Sequence, residues 1–366
     1  MGKRQCFLEG MGMKIEEQWR GKRVFLTGHT GFKGAWLSRW LIKLGAVVSG
    51  YSLPPPTSPS LFDLLNLSSS MDNAFGDIRD KNALEAALSQ FKPEIVIHLA
   101  AQPIVRQSYK NPHETFETNV MGTVNLLEAV RSCESVRSVV CVTSDKCYEN
   151  REWVWGYREN DPMGGFDPYS ASKGCSELVV SSYRNSFFNK DQYGSKHAVA
   201  LGSARAGNVI GGGDWAADRL IPDCIRALSR NEPITIRSPR AVRPWQLVLE
   251  PLAGYLRLAM LLYVNGPQYA EAWNFGPGDA GVLDVESMVK LVVREWGSGT
   301  YQIATDADLH EAQLLKLDVS KARSGLKWVP KLNPAEAIAW TVAAYKAHYS
   351  NGRISDIVDS DRKSVV

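Results

Sequence analysis

From Arg23 to Ala204 the chain alternates between two hydrophobic rhythms. Short, nearly continuous apolar runs at Arg23–Thr27, Ala46–Tyr51, Asn73–Phe75, Glu94–His98, Val136–Val142 and Ala198–Ala204 predict strands. Between them apolar residues return at helical spacing: Ala35, Trp36, Leu37, Trp40, Leu41 and Leu44 first, then Asp80–Phe91, Pro112–Cys133 and Pro168–Asn189. Strands that are apolar throughout, alternating with helices, belong in a parallel sheet covered on both faces. From Gly207 the texture changes. Gly211-Gly212-Gly213-Asp214-Trp215 reads as loop, Arg219, Arg237, Arg240 and Arg243 lie among prolines and short strands, and Trp245–Val264 returns to sheet and helix.

The pattern predicts an α/β fold, a Rossmann-type doubly wound parallel sheet with a smaller, interrupted C-terminal substrate lobe. The expected divisions are a loose extension at 1–13, a Rossmann domain at 14–205 with a return segment near 245–275, a lobe from 206–244 and 276–350, and a mobile tail at 351–366. Residues 1–13 are too polar for a signal peptide, and Met11 and Met13 are alternative starts. No apolar run approaches the ~20 residues of a bilayer span, so no membrane partner and a cytoplasmic location are expected. With 42 basic and 39 acidic residues the net charge is +3, which offers no field for nucleic acid. Cys6, Cys133, Cys141, Cys147, Cys175 and Cys224 form no Cys-x-x-Cys pair, so reduced, largely buried thiols and no metal site are expected.

Two stretches carry the chemistry. Gly28-His29-Thr30-Gly31-Phe32-Lys33-Gly34 stands between a strand and a helix, where glycines allow a tight turn, a pyrophosphate at the helix amino end, and close helix–strand packing. Val142-Thr143-Ser144-Asp145-Lys146 ends a later strand, placing polar groups at the sheet edge where ligands bind. Pro168 then opens a helix that sets Tyr169 and Lys173 on one face. A cation one turn from a phenol favours phenolate, and hence a proton acceptor. His98 reads as a core histidine inside an apolar strand, and His29 as a crowding element near the phosphates. Trp153, Trp155, Tyr148 and Tyr157 read either as a lid or as packing.

With these residues in hand the chain resembles the extended short-chain dehydrogenase/reductase superfamily over nearly its whole length and, within it, the CDP-glucose 4,6-dehydratases. The resemblance rests on Thr27–Gly34, Gly76-Asp77-Ile78-Arg79-Asp80, His98-Leu99-Ala100-Ala101-Gln102, Thr118-Asn119-Val120, Thr143–Lys146, Tyr169–Lys173 and Arg205-Ala206-Gly207-Asn208-Val209. It implies a homodimer or higher homo-oligomer that binds NAD and converts CDP-D-glucose to its 4-keto-6-deoxy product: oxidation at C4, loss of water across C5–C6, and hydride return to C6. Ser144, Asp145, Lys146, Tyr169 and Lys173 would be catalytic. Gly28, Thr30, Gly31, Phe32, Lys33, Gly34, Asp77, Ile78, Leu99, Ala100, Ala101, Gln102, Asn119, Thr143, Tyr169 and Lys173 would hold NAD. Gln102, Arg106, Ser144, Asn208, Arg219, Arg237 and Arg243 would hold the substrate, the arginines and Asn208 gripping its diphosphate.

Two departures stand out. Related dehydratases carry Asp-Glu where this chain has Asp145-Lys146, so the usual carboxylate base for the C5 proton is missing. Lys146 replaces it as a desolvated base, or stays charged and stabilises the enolate while another group takes the proton. Residues 44–62 contain no Asp or Glu for the adenosine 2′-hydroxyl, and no Arg or Lys for a 2′-phosphate. Three other readings stay open at this stage: a dehydratase for a dTDP, UDP or GDP sugar, a nucleotide-sugar epimerase, and a non-catalytic NAD(P)-sensing regulator.

Overall fold

The computed structural model describes residues 15–278, 281–304, 314–350 and 352–365. The extension expected at 1–13 lies outside the described residues. Seven parallel strands form the main sheet: β1 (Arg23–Thr27), β2 (Val47–Ser52), β3 (Asp72–Phe75), β4 (Ile95–His98), β5 (Ser138–Val142), β6 (Ala200–Ala206) and β7 (Ala272–Phe275). Their spatial order is β7-β6-β5-β4-β1-β2-β3, so the order reverses between β1 and β4. That reversal opens a crevice at the carboxyl ends of the strands.

Burial explains the continuous apolar runs. Val24, Phe25, Leu26, Ile95, Val96, Ile97, Val139 and Val140 are all fully buried. Helices Phe32–Lys43 and Leu249–Asn265 cover one face, with Trp36, Trp40, Leu258 and Leu262 in a shared core. Helices Lys81–Phe91, Gly122–Arg131 and Pro168–Ser186 cover the other through Leu84, Leu88, Leu126, Val130 and Val180.

The helix expected across Pro112–Cys133 is divided. Pro112–Phe116 is α-helical, Glu117–Met121 widens into a π-turn, and Gly122–Arg131 resumes the α-helix. The widened turn carries Asn119, whose side chain bonds to Gln102 and Ser172 instead of lying along a regular helix face.

The stretch from 351, expected to be a mobile tail, contains a helix at Ile354–Val365. Ile354 and Val358 are buried, and Asp359 pairs with Arg39 at 2.8 Å and Lys43 at 2.9 Å on the first Rossmann helix. Polar composition suggested disorder, but two apolar anchors and one doubly paired carboxylate tie the segment down. No helix among the described residues is long and apolar enough to cross a membrane.

Candidate active site

The crevice is one continuous cavity of about 1840 Å³, running from the glycine turn past the end of β5 to the C-terminal lobe. Single-ligand pockets span roughly 300–1,000 Å³, so this cavity is of a size for two nucleotides side by side. At one end, Gly28 holds the turn at φ +75°, and a Cβ there would stand 2.7 Å from the Ala100 amide nitrogen. Only glycine meets both demands. Helix Phe32–Lys43 begins at Gly31 with no side-chain cap, so its first amide donors are left for a ligand anion. Thr30, Ser52, Leu53, Pro54, Asp77, Ile78 and Arg79 continue the wall.

The middle of the cavity is built by β5 and the helix that follows Asp167. Thr143 and Ser144 extend β5, and Ser144 Oγ accepts from the Lys146 amide at the start of a short 3-10 turn. Ser144 also donates to Asp145 Oδ1 at 3.0 Å. Asp167 caps the next helix by accepting from the Ser170 amide at 2.9 Å, which fixes the register of Tyr169 and Lys173 one turn apart. Tyr169, Asp145, Ser144 and Lys173 are all buried, and all line the cavity with half-buried Lys146.

Charge in this region is unbalanced. Burial pushes Lys173 down to about 8, although the nearby Cys147, Glu177 and Cys141 side chains pull it up. Lys33, from the glycine turn, is also pushed down to about 8, first by burial and then by the positive charges of Arg219 and Lys173, with Asp145 opposing. Burial pushes the Tyr169 phenol up to about 12. The Ser144 hydrogen bond and Arg219 act to lower it, while Asp145 and Asp167 raise it. Three cations thus surround one phenol and one carboxyl, an arrangement suited to an anionic ligand.

The far end is set by the Gly211–Gly213 loop. Trp36 Nε1 donates to the Gly212 carbonyl at 2.9 Å, Gly213 turns at φ +87°, and the Tyr345 hydroxyl donates to the Asp214 carbonyl. Asp214 then holds Arg219 at 2.8 Å. Arg106 and Arg237 each approach Asp218 at 3.6 Å, one from the short helix Val105–Lys110 after β4 and one from the lobe. Arg243 is buried, and its guanidinium donates to the Val242 carbonyl at 2.9 Å. Asn208, Gln102 and all four arginines line the same cavity.

Of the sequence-predicted residues, Asn119 lies outside the cavity wall. Its amide accepts from the Gln102 nitrogen and donates to the Gln102 carbonyl and Ser172, so it braces the wall from behind. His29, between Gly28 and Thr30, is absent from the cavity lining: it bonds Asn73, meets the ring of Phe62 edge-on and fills the space that a Cβ on Gly50 would need. His98 is a satisfied core residue between Thr27 (2.7 Å) and Thr123 (3.3 Å), and burial pushes it down to about 3. Tyr148 and Tyr157 stack at 5.2 Å with Trp153 beside them, while Trp155 is exposed, so most of this aromatic loop is packing.

Sequence reasoning missed Glu177 and Arg205. Glu177 accepts from Thr143 at 2.5 Å and Ser203 at 2.8 Å, and pairs with buried Arg205 at 2.8 Å directly behind β5. The available signal was its place one turn after Lys173 on the same helix face. Among the described residues no group of three or more His, Cys, Asp or Glu side chains is placed to hold a metal ion.

Residues 25–194 match the family model described as GDP-mannose 4,6 dehydratase. The chain is 55% identical over 330 residues to the CDP-glucose 4,6-dehydratase of Salmonella typhimurium, covering 90% of this chain and 92% of that protein. It is 34% identical to the UDP-glucose 4-epimerase of Mycolicibacterium smegmatis, over 88% of this chain and 98% of that one. In fold it is similar to the dTDP-glucose 4,6-dehydratase DesIV of Streptomyces venezuelae, solved with NAD and TYD bound. That likeness has a TM-score of 0.75 and 23% identity, and it covers 90% of this chain and 98% of that one.

Proposed function

The chain belongs to the CDP-glucose 4,6-dehydratases of the extended short-chain dehydrogenase/reductase superfamily, and we propose that it is an NAD-dependent hydro-lyase converting CDP-D-glucose to CDP-4-keto-6-deoxy-D-glucose. The observation that carries this reading is Asp145. An epimerase needs only a phenol to move the C4 proton, whereas this site adds a buried carboxyl at the strand end beside Tyr169. Elimination requires such an acid.

The residues present fit a dinucleotide. The uncapped helix start at Gly31 and the glycine turn would hold its pyrophosphate, with Asp77 and Ile78 at the adenine end and Lys173 at the nicotinamide ribose. When bound, NAD supplies the hydride acceptor for C4 and the donor for C6. Tyr169 takes the C4 hydroxyl proton, and Ser144 orients that hydroxyl. The ketone so formed makes the C5 proton removable, which is why a net non-redox reaction uses a redox cofactor. Lys146 takes that proton, and Asp145 delivers one to the leaving C6 hydroxyl. Arg219, Arg237, Arg243, Arg106 and Asn208 grip the nucleotide diphosphate, for which guanidinium forks are suited.

A homodimer and a cytoplasmic location go with this reading. Exposed Tyr109, Phe116 and Met121, with Leu178 and Phe187 on the neighbouring helix, supply an apolar surface for a second copy. The test is incubation of the protein and NAD with CDP-, dTDP-, UDP- and GDP-glucose, followed by mass spectrometry and NMR. Loss of one water with a 4-keto-6-deoxy spectrum from the CDP sugar supports the reading. A C4 epimer without water loss would overturn it.

A further inference from the structure

Asp145 has to release a proton from a buried position, yet only half of its carboxyl has a visible partner. Oδ1 accepts from Ser144, while Oδ2 has no hydrogen-bond partner among the described residues, in a side chain only 2% exposed. Oδ2 lies 3.0 Å from where a Cβ on Gly207 would stand, and Pro244 is 2.7 Å from the same point. Glycine at 207 permits this close approach of Pro244 to the carboxyl.

Two further orphans belong to the same neighbourhood. Tyr255 lies on Leu249–Asn265, the helix packed beneath β5 and β6, and is fully buried with its ring edge-on to Phe275 at 5.5 Å. Its hydroxyl has no partner among the described residues. Burial holds that phenol far above its ordinary range, and the charged neighbours that push it further are Asp145 and Tyr169, so it remains an O–H donor. Gln246 donates to the Phe275 carbonyl at 3.0 Å, and its backbone amide donates to Asn208, next to Gly207. Its Oε1 is buried and has no partner among the described residues. The three atoms are one donor and two acceptors. A single water between them would satisfy the set, accepting from Tyr255 and donating to Asp145 Oδ2 and Gln246 Oε1; buried waters commonly make about three such bonds.

We propose that Tyr255 is a positioning residue for the acid step, its hydroxyl acting on Asp145 Oδ2 through one buried water shared with Gln246. The inference rests on the dehydratase reading above. In the elimination, Lys146 takes the C5 proton and the electron pair of the C5–H bond forms the C5–C6 double bond. The C6–O bond breaks toward oxygen, and the Asp145 proton completes the departing water. The new negative charge spreads over both carboxyl oxygens, and a donor fixed at Oδ2 stabilises it without touching the sugar. The ionisable groups that act on Asp145 are Lys33 from the glycine turn, Cys147 from its own turn, Tyr169 from the following helix, and Tyr255 from beneath.

Tyr255→Phe is the test, compared with wild type in single-turnover reactions of the NAD-loaded enzyme with CDP-glucose. Loss of water slows by about 10–100-fold, the range for a hydrogen bond to a charged group, while C4 oxidation keeps its rate. The limb on which elimination falls with rising pH moves to higher pH, because the carboxylate has lost a donor. In the ligand-free protein, the infrared carboxyl band assigned to Asp145 by difference from Asp145→Asn shifts as well. An unchanged elimination rate and band, or equal slowing of C4 oxidation and elimination, would overturn the proposal. If Tyr255→Phe does not fold, Gln246→Met must shift the same band, and an unshifted band overturns it. A wild-type protein that releases no water overturns the dehydratase reading instead, and the infrared arm still reports on Tyr255.

Discussion

Removing Glu177 should cost more stability than removing any catalytic side chain. Glu177 and Arg205 are both about 4% exposed, so neither charge is repaid by solvent. Burial raises the cost of the carboxylate, but the Arg205 charge and three donated hydrogen bonds outweigh it and hold the carboxyl below its ordinary range. In Glu177→Ala the guanidinium keeps Tyr148 at 2.7 Å and the Glu159 carbonyl at 3.0 Å, but loses its counter-charge, and its Nε already has no partner among the described residues. Breaking a buried pair from one side costs about 3–5 kcal/mol. Urea unfolding followed by tryptophan fluorescence measures the loss. The sign with pH follows from linkage: a carboxyl whose folded pKa is depressed contributes stability above its unfolded value near 4.5, and that stability is lost as pH falls through the folded value. The variant's deficit should therefore shrink in acid. Replacing both partners, Glu177→Met with Arg205→Met, should recover most of the loss, since paired removal leaves no lone charge. A single-variant cost below about 1 kcal/mol, the level of an exposed pair, would refute the reasoning. So would a double variant as unstable as the sum of the two singles.

Tyr169→Phe should abolish turnover, including the first reduction of bound NAD. Nicotinamide absorbance from the variant with bound sugar would show otherwise. NAD should stimulate the purified protein more than NADP does, because residues 44–62 offer no cation and Arg79 is committed to Asp77 at 2.6 Å and Glu117 at 3.2 Å; titration of both cofactors checks this. Lys146→Ala should keep C4 oxidation but lower solvent deuterium exchange at C5 by ~10²–10⁴-fold, the usual contribution of a positioned base. Asp145→Asn should retain exchange and slow water loss, so wild-type exchange in Lys146→Ala would remove Lys146 as the base. Lys33→Met should be more stable than wild type at neutral pH. The folded pKa of Lys33 is about 8 against 10.5 unfolded, so the unfolded chain binds more protons between those values and wild type regains stability as pH rises through them. Thermal unfolding of both proteins across that window measures the difference.

The sheet was legible because burial on both faces leaves its central strands continuously apolar, and helix periodicity marks the crossovers after β1, β3, β4 and β5. Strand boundaries moved by only one or two residues, as at Ala46–Tyr51 against Val47–Ser52 and Ala198–Ala204 against Ala200–Ala206. The glycine turn, Ser144, Asp145, Tyr169 and Lys173 could be found because their chemistry depends on local spacing along one strand end or one helix face. What depended on distant packing was not visible. His29 stands in the glycine turn, yet Gly50 on the next strand leaves a hole that its ring fills. Asn119 looked like a cofactor contact, but the widened helix turn spends its amide on Gln102 and Ser172. The polar C-terminal segment carries few apolar residues, and its helix is recognisable only once Asp359 is seen between Arg39 and Lys43.

The charges of the site make sense as those of a protein shaped for its ligands more than for itself. Arg219 and Lys173 both press on Lys33, while of the nearby carboxyls Asp214 is already paired with Arg219 and Glu177 with Arg205. A cavity left in that condition costs stability, and two diphosphates would relieve it by supplying the missing negative charge. The same crowding serves the chemistry. Tyr169 is held high by burial in the ligand-free protein, so it stays a neutral phenol until cations gather around the reacting oxygen. A lysine at 146 adds to this positive field, where a carboxylate would compete with the diphosphates for the same cations.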